Sequence, residues 1–320
     1  MDLLVAYWEV STLRSGKIVR TREEPARMVM KRDQTDDITG EALNAQRFQM
    51  LEDIAKELSG QDIVFPTCFE VSLRLRKELQ DADLPIARIA SIVSAEPLVV
   101  AKLIRLANSV LYNPSGLHVR TMPAAITRLG INLVRITALA IASKQMMLSK
   151  DMAAFRDLSS ALWKHSIKSA AAARILARTY TPLNPDEAML AGLLHDFGAF
   201  YMLYRTAHYP ELCERPETVK FLIMQWHDSI GASLLNALGL PAEIVQAILN
   251  HDHPRGSGPT PLKTLSDVVY VSNILSGAYF GWLYQDVDPG VMASDALRET
   301  FLEILPAIES ESQEMLAIFD

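Results

Sequence analysis

Cysteine is almost absent from this chain, and its scarcity excludes several classes of protein. Only Cys68 and Cys213 occur among 320 residues, and neither belongs to a C-x-x-C pair. This pattern supports neither a disulfide framework nor a zinc site ligated by cysteine. It is typical of a protein from a reducing compartment.

Long hydrophobic runs are also missing. The apolar stretch from Leu3 to Trp8 is short, lies between Asp2 and Glu9 and follows no basic leader, so it resembles neither a signal peptide nor an anchor. Elsewhere apolar runs end after a handful of residues, whereas a helix needs about 20 to span a bilayer. We therefore expect a cytoplasmic protein that does not bind membranes.

The charge is unevenly distributed, although the formal net charge is only −7. Seven basic residues crowd one N-terminal stretch: Arg14, Lys17, Arg20, Arg22, Arg27, Lys31 and Arg32. The last 30 or so residues are instead acidic. Because the basic stretch has few aromatics and no nucleic-acid-binding motif, we expect a solvated arm and no binding to nucleic acid.

What the chain does contain is enough apolar sequence for a large core, with 49% hydrophobic and 22% charged residues. Ile86, Ile89, Ala90 and Val93 follow one another at the spacing of a helix face. We count about ten such segments between residues 66 and 286 and no convincing alternation of the kind strands show. The sequence predicts an all-α fold.

Composition divides the chain into three parts. Residues 1–60 form an N-terminal extension, with a short hairpin or extended arm over 3–21, a linker over 22–40 and a helix from Glu41 to Leu58. Residues 61–286 form one helical domain, and residues 287–320 form an acidic helical tail.

A set of histidines and aspartates scattered along the helical domain could carry chemistry. The candidates are His165, His195, Asp196, His227, His251 and Asp267. Imidazoles and carboxylates together suit Fe, Mn, Zn or Mg better than a thiolate-seeking metal. A divalent ion in such a shell lowers the pKa of water and polarises phosphate, as phosphoester hydrolysis at neutral pH requires.

The segment Leu193-Leu194-His195-Asp196-Phe197-Gly198 resembles the signature of the HD superfamily of metal-dependent phosphohydrolases. The sequence around His165 resembles the segment that carries the first histidine of this superfamily. The sequence around Asp267 resembles the helix that carries the last aspartate of the superfamily. The resemblance implies that His165, His195, Asp196 and Asp267 are the metal ligands.

A second resemblance is narrower. The run Arg105-Leu106-Ala107-Asn108-Ser109, followed by Ala125-Ile126-Thr127-Arg128-Leu129-Gly130, is similar to the HDOD domain, the HD-related output domain of bacterial signalling proteins. The likeness covers about residues 62–286. It implies an all-helical HD-like domain that acts in signal transduction through protein partners. Asn108 itself we expect to satisfy backbone groups near a helix end.

His227 and His251 resemble elements of the HD-GYP branch, which degrades a cyclic dinucleotide. Ala199 stands where that branch has lysine, Asp252 where it has a second histidine, and its Gly-Tyr-Pro tyrosine is absent. These departures argue against cyclic-dinucleotide hydrolysis.

Two hypotheses follow. In the first, the protein is a signalling regulator acting through protein contacts, with a ligand or metal at the His/Asp cluster, which could equally be a vestigial network of hydrogen bonds. In the second, it is a metal-dependent phosphohydrolase of a nucleotide or phosphate ester, in which His227 or His251 contacts the phosphate. Homodimerisation stays open.

Overall fold

Helices dominate the part of the chain that the computed structural model describes, namely residues 41–60, 85–94, 97–249, 251–253, 255, 261–277 and 294–319. Within those ranges there is no strand, which confirms the predicted all-α class. The arm or hairpin expected over 3–21 and the linker over 22–40 lie outside them.

The described α-helices are numbered here in chain order. They are α1 (Glu41–Gly60), α2 (Ile86–Val93), α3 (Pro97–Ala107), α4 (Met122–Met147), α5 (Arg156–Tyr180), α6 (Pro185–Leu194), α7 (Phe197–Thr206), α8 (Pro210–Cys213), α9 (Pro216–Ala237), α10 (Ala242–Ile248), α11 (Leu265–Gly277), α12 (Ser294–Thr300) and α13 (Leu305–Phe319). Two 3-10 helices, Lys150–Phe155 and Leu302–Ile304, connect α4 to α5 and α12 to α13.

Local sequence signals explain several of the helix boundaries. Asn184 caps α6 by accepting a hydrogen bond of 2.9 Å from the backbone N–H of Asp186, and Pro185 occupies the first helical position. α9 ends before Gly239, whose φ of 68° is the left-handed conformation that glycine adopts without strain.

α4 contains a non-helical residue, Gly130, where φ is 76° and ψ is 159°, and it bends a few residues later, between Val134 and Ile136. No described helix is by itself long and apolar enough to cross a membrane, and only the two arms of this bent helix pass such a test jointly. These arms are Met122–Val134 and Ile136–Gln145, and they meet at 68°.

α5 lies at the centre of the helical packing, against α6, α11 and α13. Small residues allow it to approach α6 closely: a Cβ on Gly192 would lie only 2.8 Å from the carbonyl oxygen of Ser169 and 2.9 Å from the Cβ of Ala173. Because α6 ends at Leu194, this close packing fixes the position of the residues that follow it.

α1 and α13 both contribute to the main core, although the sequence places them in an extension and a tail. Met50 and Ile54 of α1 are buried in the same hydrophobic cluster as Met315 and Ile318 of α13. The described residues between Glu41 and Phe319 belong to one compact unit. The division of the chain into residues 1–60, 61–286 and 287–320 stays a prediction.

α1 is anchored to α7 by buried and half-buried polar groups. Tyr201 donates a hydrogen bond of 2.6 Å to one carboxylate oxygen of Glu57, and Arg205 pairs with the other at 2.7 Å. Tyr209, just beyond α7, donates to Asp53 at 2.7 Å. These contacts hold α1 against a helix that begins at the candidate site.

Asn108 satisfies backbone groups, as the sequence predicts, although not those of its own helix. Its side chain donates to the carbonyl oxygen of Val119 and accepts from the N–H of the same residue, both at 2.8 Å. Arg128 adds hydrogen bonds to the carbonyl oxygens of Ala107 and Leu117. This run therefore holds the connection between α3 and α4.

Candidate metal centre

The candidate site is built around the break between α6 and α7. His195 follows the last residue of α6 and Asp196 precedes the first residue of α7, and both side chains are completely buried. Buried polar groups must find partners, because an unpaired one costs several kcal/mol. For these two residues, the partners include each other, the end of α6 and side chains from other parts of the chain.

Four more side chains reach the same place. His165 comes from α5, His227 from α9, and His251 with Asp252 from the turn after α10. Ligand atoms of His165, His195 and Asp196 lie within 4.8 Å of one another, as do those of Asp196, His227, His251 and Asp252. Asp196 belongs to both groups.

A glycine pair brings α9 to the break. A Cβ on Gly198 would lie 1.9 Å from the carbonyl oxygen of His227 and 2.6 Å from the backbone nitrogen of Gly231. Only glycine at position 198 allows α7 and α9 to cross this closely. The crossing places the His227 ring beside Asp196.

Asp196 divides the cluster into two halves. One carboxylate oxygen, Oδ2, lies 3.2 Å from Nε2 of His195 and 3.6 Å from Nε2 of His165. The other, Oδ1, lies 3.4 Å from Nε2 of His227 and 3.2 Å from Nε2 of His251. We call these the Oδ2 half and the Oδ1 half.

Backbone carbonyls fix the orientation of three imidazoles. Nδ1 lies 2.7 Å from a carbonyl oxygen in each of them: that of Gly192 for His195, of Ile223 for His227 and of Ile248 for His251. Nδ1–H must be the donor in these contacts, because a carbonyl only accepts. In the neutral rings, each Nε2 therefore turns a lone pair towards the cluster.

Lone pairs facing one another require a cation. Nε2 of His165 lies 3.1 Å from Nε2 of His195, and Nε2 of His227 lies 3.3 Å from Nε2 of His251. Oδ2 of Asp196 is buried and accepts no hydrogen bond. Either protons or metal ions must supply the positive charge at such a site.

The pKa values show how strongly the cluster attracts positive charge. Burial lowers the pKa of His251, but Asp252 and Asp196 outweigh burial and raise it well above the ordinary value. Burial also opposes ionisation of Asp196, yet His195 and His251 hold the pKa of its carboxyl well below the ordinary value. His165 differs, because burial dominates there and lowers its pKa to about 4.

The spacing of the nitrogen and oxygen atoms fits ions as well as protons. Two ligand atoms that are each about 2.1 Å from an ion lie about 3.0 Å apart at a right angle and about 3.4 Å apart at a tetrahedral angle. The nitrogen–oxygen and nitrogen–nitrogen distances within both halves run from 3.0 to 3.6 Å. The donor set and its geometry therefore fit divalent metal ions.

The structure does not bring Asp267 to this cluster, although the sequence-based hypothesis makes it a ligand. Its carboxylate accepts hydrogen bonds from the backbone N–H groups of Lys263 and Thr264, and pairs with Arg255 at 3.0 Å. Thr264 accepts in return from the N–H of Asp267, which is the reciprocal arrangement of a capping box. Asp267 thus helps to cap the N-terminus of α11.

α11 does reach the cluster through Asn273, and also through Ser276, whose hydroxyl lies 3.4 Å from Nδ1 of His165. The Asn273 amide donates a hydrogen bond of 2.6 Å to Oδ1 of Asp252, whose Oδ2 lies 3.0 Å from Nε2 of His227. In the sequence, Asp252 stands out only as a departure from a histidine pair, and Asn273 belongs to no motif identified there. The signal that the sequence offers for Asp252 is its position next to the candidate residue His251.

Comparison with known families matches residues 65–254, more than half of the chain, to the HDOD domain. The chain belongs to the HDOD domain family. This confirms the resemblance found in the sequence.

Three relatives illustrate the likeness. A candidate metal-dependent phosphohydrolase from Shewanella amazonensis SB2B is similar in structure, with a TM-score of 0.65, 21% identity and coverage of 86% of this chain and 100% of that one. A candidate signal transduction protein from Marinobacter aquaeolei VT8 has a TM-score of 0.53 and 21% identity, over 86% of this chain and 65% of that one. An uncharacterized protein from Treponema pallidum (strain Nichols) is 23% identical over 271 residues, which cover 79% of this chain and 50% of that protein.

The chain spans about half the length of this curated relative. At 21% identity, the likeness to the two solved structures shows the fold alone.

Proposed function

We propose that this HDOD protein is a signalling regulator that acts through protein contacts, and that its His/Asp cluster is a two-part metal centre that holds the helices together. The observation that carries the metal centre is the carboxylate of Asp196. It is buried, and imidazole nitrogens with inward lone pairs face each of its oxygens.

Burial favours the regulator over the enzyme. The side chains of His195 and His251 are 0% exposed and that of Asp252 is 13% exposed. A phosphate ester must reach the ion for that ion to act as a Lewis acid on it, and the described surroundings of these side chains leave them little access. A buried centre instead ties α5, α7, α9 and the turn after α10 to one point, and a metal ion that binds only the folded chain stabilises the fold.

The donor set favours a second candidate function, hydrolysis of a phosphate ester. Nitrogen and oxygen ligands suit the ions that hydrolases use, Fe, Mn, Zn or Mg, and a bound ion would polarise phosphate there. In that function the residues of this chain would hold and orient the ligands, and a nucleotide or other phosphate ester would enter beside His165 or Asp252, the most exposed members of the cluster.

Metal analysis and an activity panel separate the two functions. Full-length wild-type protein is expected to retain divalent metal through gel filtration, and Asp196→Ala is expected to lose it. Both are then assayed against phosphatase and phosphodiesterase substrates, and partners are captured by cross-linking in cells. Partners that wild type captures and Asp196→Ala does not, without turnover, support the regulator. Turnover that Asp196→Ala abolishes overturns it in favour of the hydrolase.

A further inference from the structure

We infer that the two halves of the centre are unequal: the Oδ1 half is a closed four-ligand site that fills first and holds its ion tightly, whereas the Oδ2 half is an open three-ligand site that fills second. This rests on the proposed function, in which the cluster binds metal. The inequality comes from Asp252, which adds a second carboxylate to one half.

In the Oδ1 half, the nitrogen–oxygen and nitrogen–nitrogen distances are close to those of a tetrahedral shell. Oδ2 of Asp252 lies 3.0 Å from Nε2 of His227 and 3.3 Å from Nε2 of His251, and these nitrogens are 3.3 Å apart. Oδ1 of Asp196 lies 3.4 and 3.2 Å from the same nitrogens. Tetrahedral coordination at about 2.1 Å places ligand atoms about 3.4 Å apart. Two nitrogens and two oxygens thus complete a shell without a fifth group.

Three of the four ligands of this half are oriented by a partner outside the shell. His227 and His251 each have Nδ1 at 2.7 Å from a backbone carbonyl oxygen, and Asp252 has Oδ1 at 2.6 Å from the Asn273 amide. Such outer contacts fix ring orientation and raise ligand basicity, and their loss typically weakens metal binding about 10- to 100-fold. Asn273 is itself buried.

The Oδ2 half is less complete. It has three ligand residues, His165, His195 and Asp196, and no further histidine, cysteine or carboxylate joins the group in the described part of the chain. His165 is held less firmly than the other imidazoles, because its Nδ1 lies 3.4 Å from the Ser276 hydroxyl, whereas theirs lie 2.7 Å from carbonyl oxygens. Its ligands also share one carboxylate with the other half. Three ligands leave a position open, as in sites that exchange or react.

Cobalt titration tests the inequality without relying on activity. Co²⁺ is added to chelator-treated full-length protein, and both affinity and visible absorption are recorded. The first equivalent is expected to bind at least about 10-fold more tightly than the second and to give the intense bands of four-coordinate cobalt. Two equivalents of equal affinity overturn the inference.

Three variants assign each equivalent to its half. Asp252→Asn is expected to lose the tight equivalent and its intense bands. His165→Gln is expected to keep the tight equivalent and its intense bands and to lose only the second, weaker equivalent. Asp267→Asn, an acidic change on α11 outside the centre, is expected to bind both as wild type does. Circular dichroism confirms that each variant is folded.

Other outcomes are also decisive. A tight equivalent that survives Asp252→Asn, or that disappears in folded His165→Gln, overturns the inference but leaves the metal centre itself intact. Protein that binds no cobalt at all overturns the proposed metal centre and the inference with it.

Discussion

Replacing Gly198 by alanine tests how the helix crossing builds the centre. The new Cβ would lie 1.9 Å from the carbonyl oxygen of His227, whereas ordinary contact begins at 3.4 Å, so α7 and α9 must separate by about 1.5 Å. Metal-ligand distances tolerate deviations of only about 0.2 Å. We therefore expect Gly198→Ala to move His227 out of the Oδ1 half.

The same change should cost stability. Overpacking a close crossing costs about 1–3 kcal/mol in the free energy of unfolding. Gly198 is the second residue of α7, where the gain that alanine brings to the middle of a helix does not apply, so the expected net loss stays at about 1–3 kcal/mol. Loss of a bound ion would add to it, because an ion that binds only the folded state stabilises that state.

Two matched glycine variants make the test sharp. At Gly192 an added Cβ would lie 2.8 Å from the nearest atom, and at Gly231 it would lie 3.1 Å away. Urea unfolding of the metal-free proteins should rank the losses Gly198→Ala, Gly192→Ala, Gly231→Ala, from largest to smallest. Metal content should fall most in Gly198→Ala. If Gly198→Ala unfolds like wild type and keeps its metal, the argument from the crossing is refuted.

Three further predictions concern separate features of the molecule. Metal should bind more weakly as pH falls from 8 to 6, because the raised pKa values of His227 and His251 let protons compete with the ion. Competition with a chelator at each pH measures the metal affinity. An affinity that does not depend on pH would contradict this prediction. Glu57→Gln should lower the free energy of unfolding by about 1–3 kcal/mol, because it weakens the contacts with Tyr201 and Arg205. The control Glu52→Gln, which loses only a surface pair with Lys56, should lower it by about 0.5 kcal/mol or less. Equal losses would argue against anchoring of α1. Asp267→Ala should cost about 1 kcal/mol as a lost helix cap but leave the metal content unchanged, and a loss of metal would restore Asp267 as a ligand.

The sequence predicts the fold class and much of the cluster because both depend on local patterns. Helical spacing is local, and the His195-Asp196 pair stands out as two polar residues at the end of an apolar run. His165, His227 and His251 were also candidates, although the last two were expected to contact phosphate. The structure instead places both against Asp196, where they become candidate ligands.

The errors concern residues whose role depends on contacts between distant parts of the chain. Asp252 and Asn273 are 21 positions apart and meet only because α10 and α11 pack together. Nothing in the sequence pairs Glu57 of α1 with Tyr201 of α7, 144 positions later. Asp267 is the exception, since Thr264-x-x-Asp267 is a capping box that the sequence itself shows.

The most direct test of the central claim is a crystal structure of the full chain with data collected on both sides of the absorption edge of its bound metal. Two anomalous peaks are predicted, one beside each carboxylate oxygen of Asp196, with the peak next to Asp252 the stronger at limiting metal. Crystals grown with metal that show no anomalous peak at the cluster, with the imidazole nitrogens at hydrogen-bond distance from the carboxylates, would contradict the account.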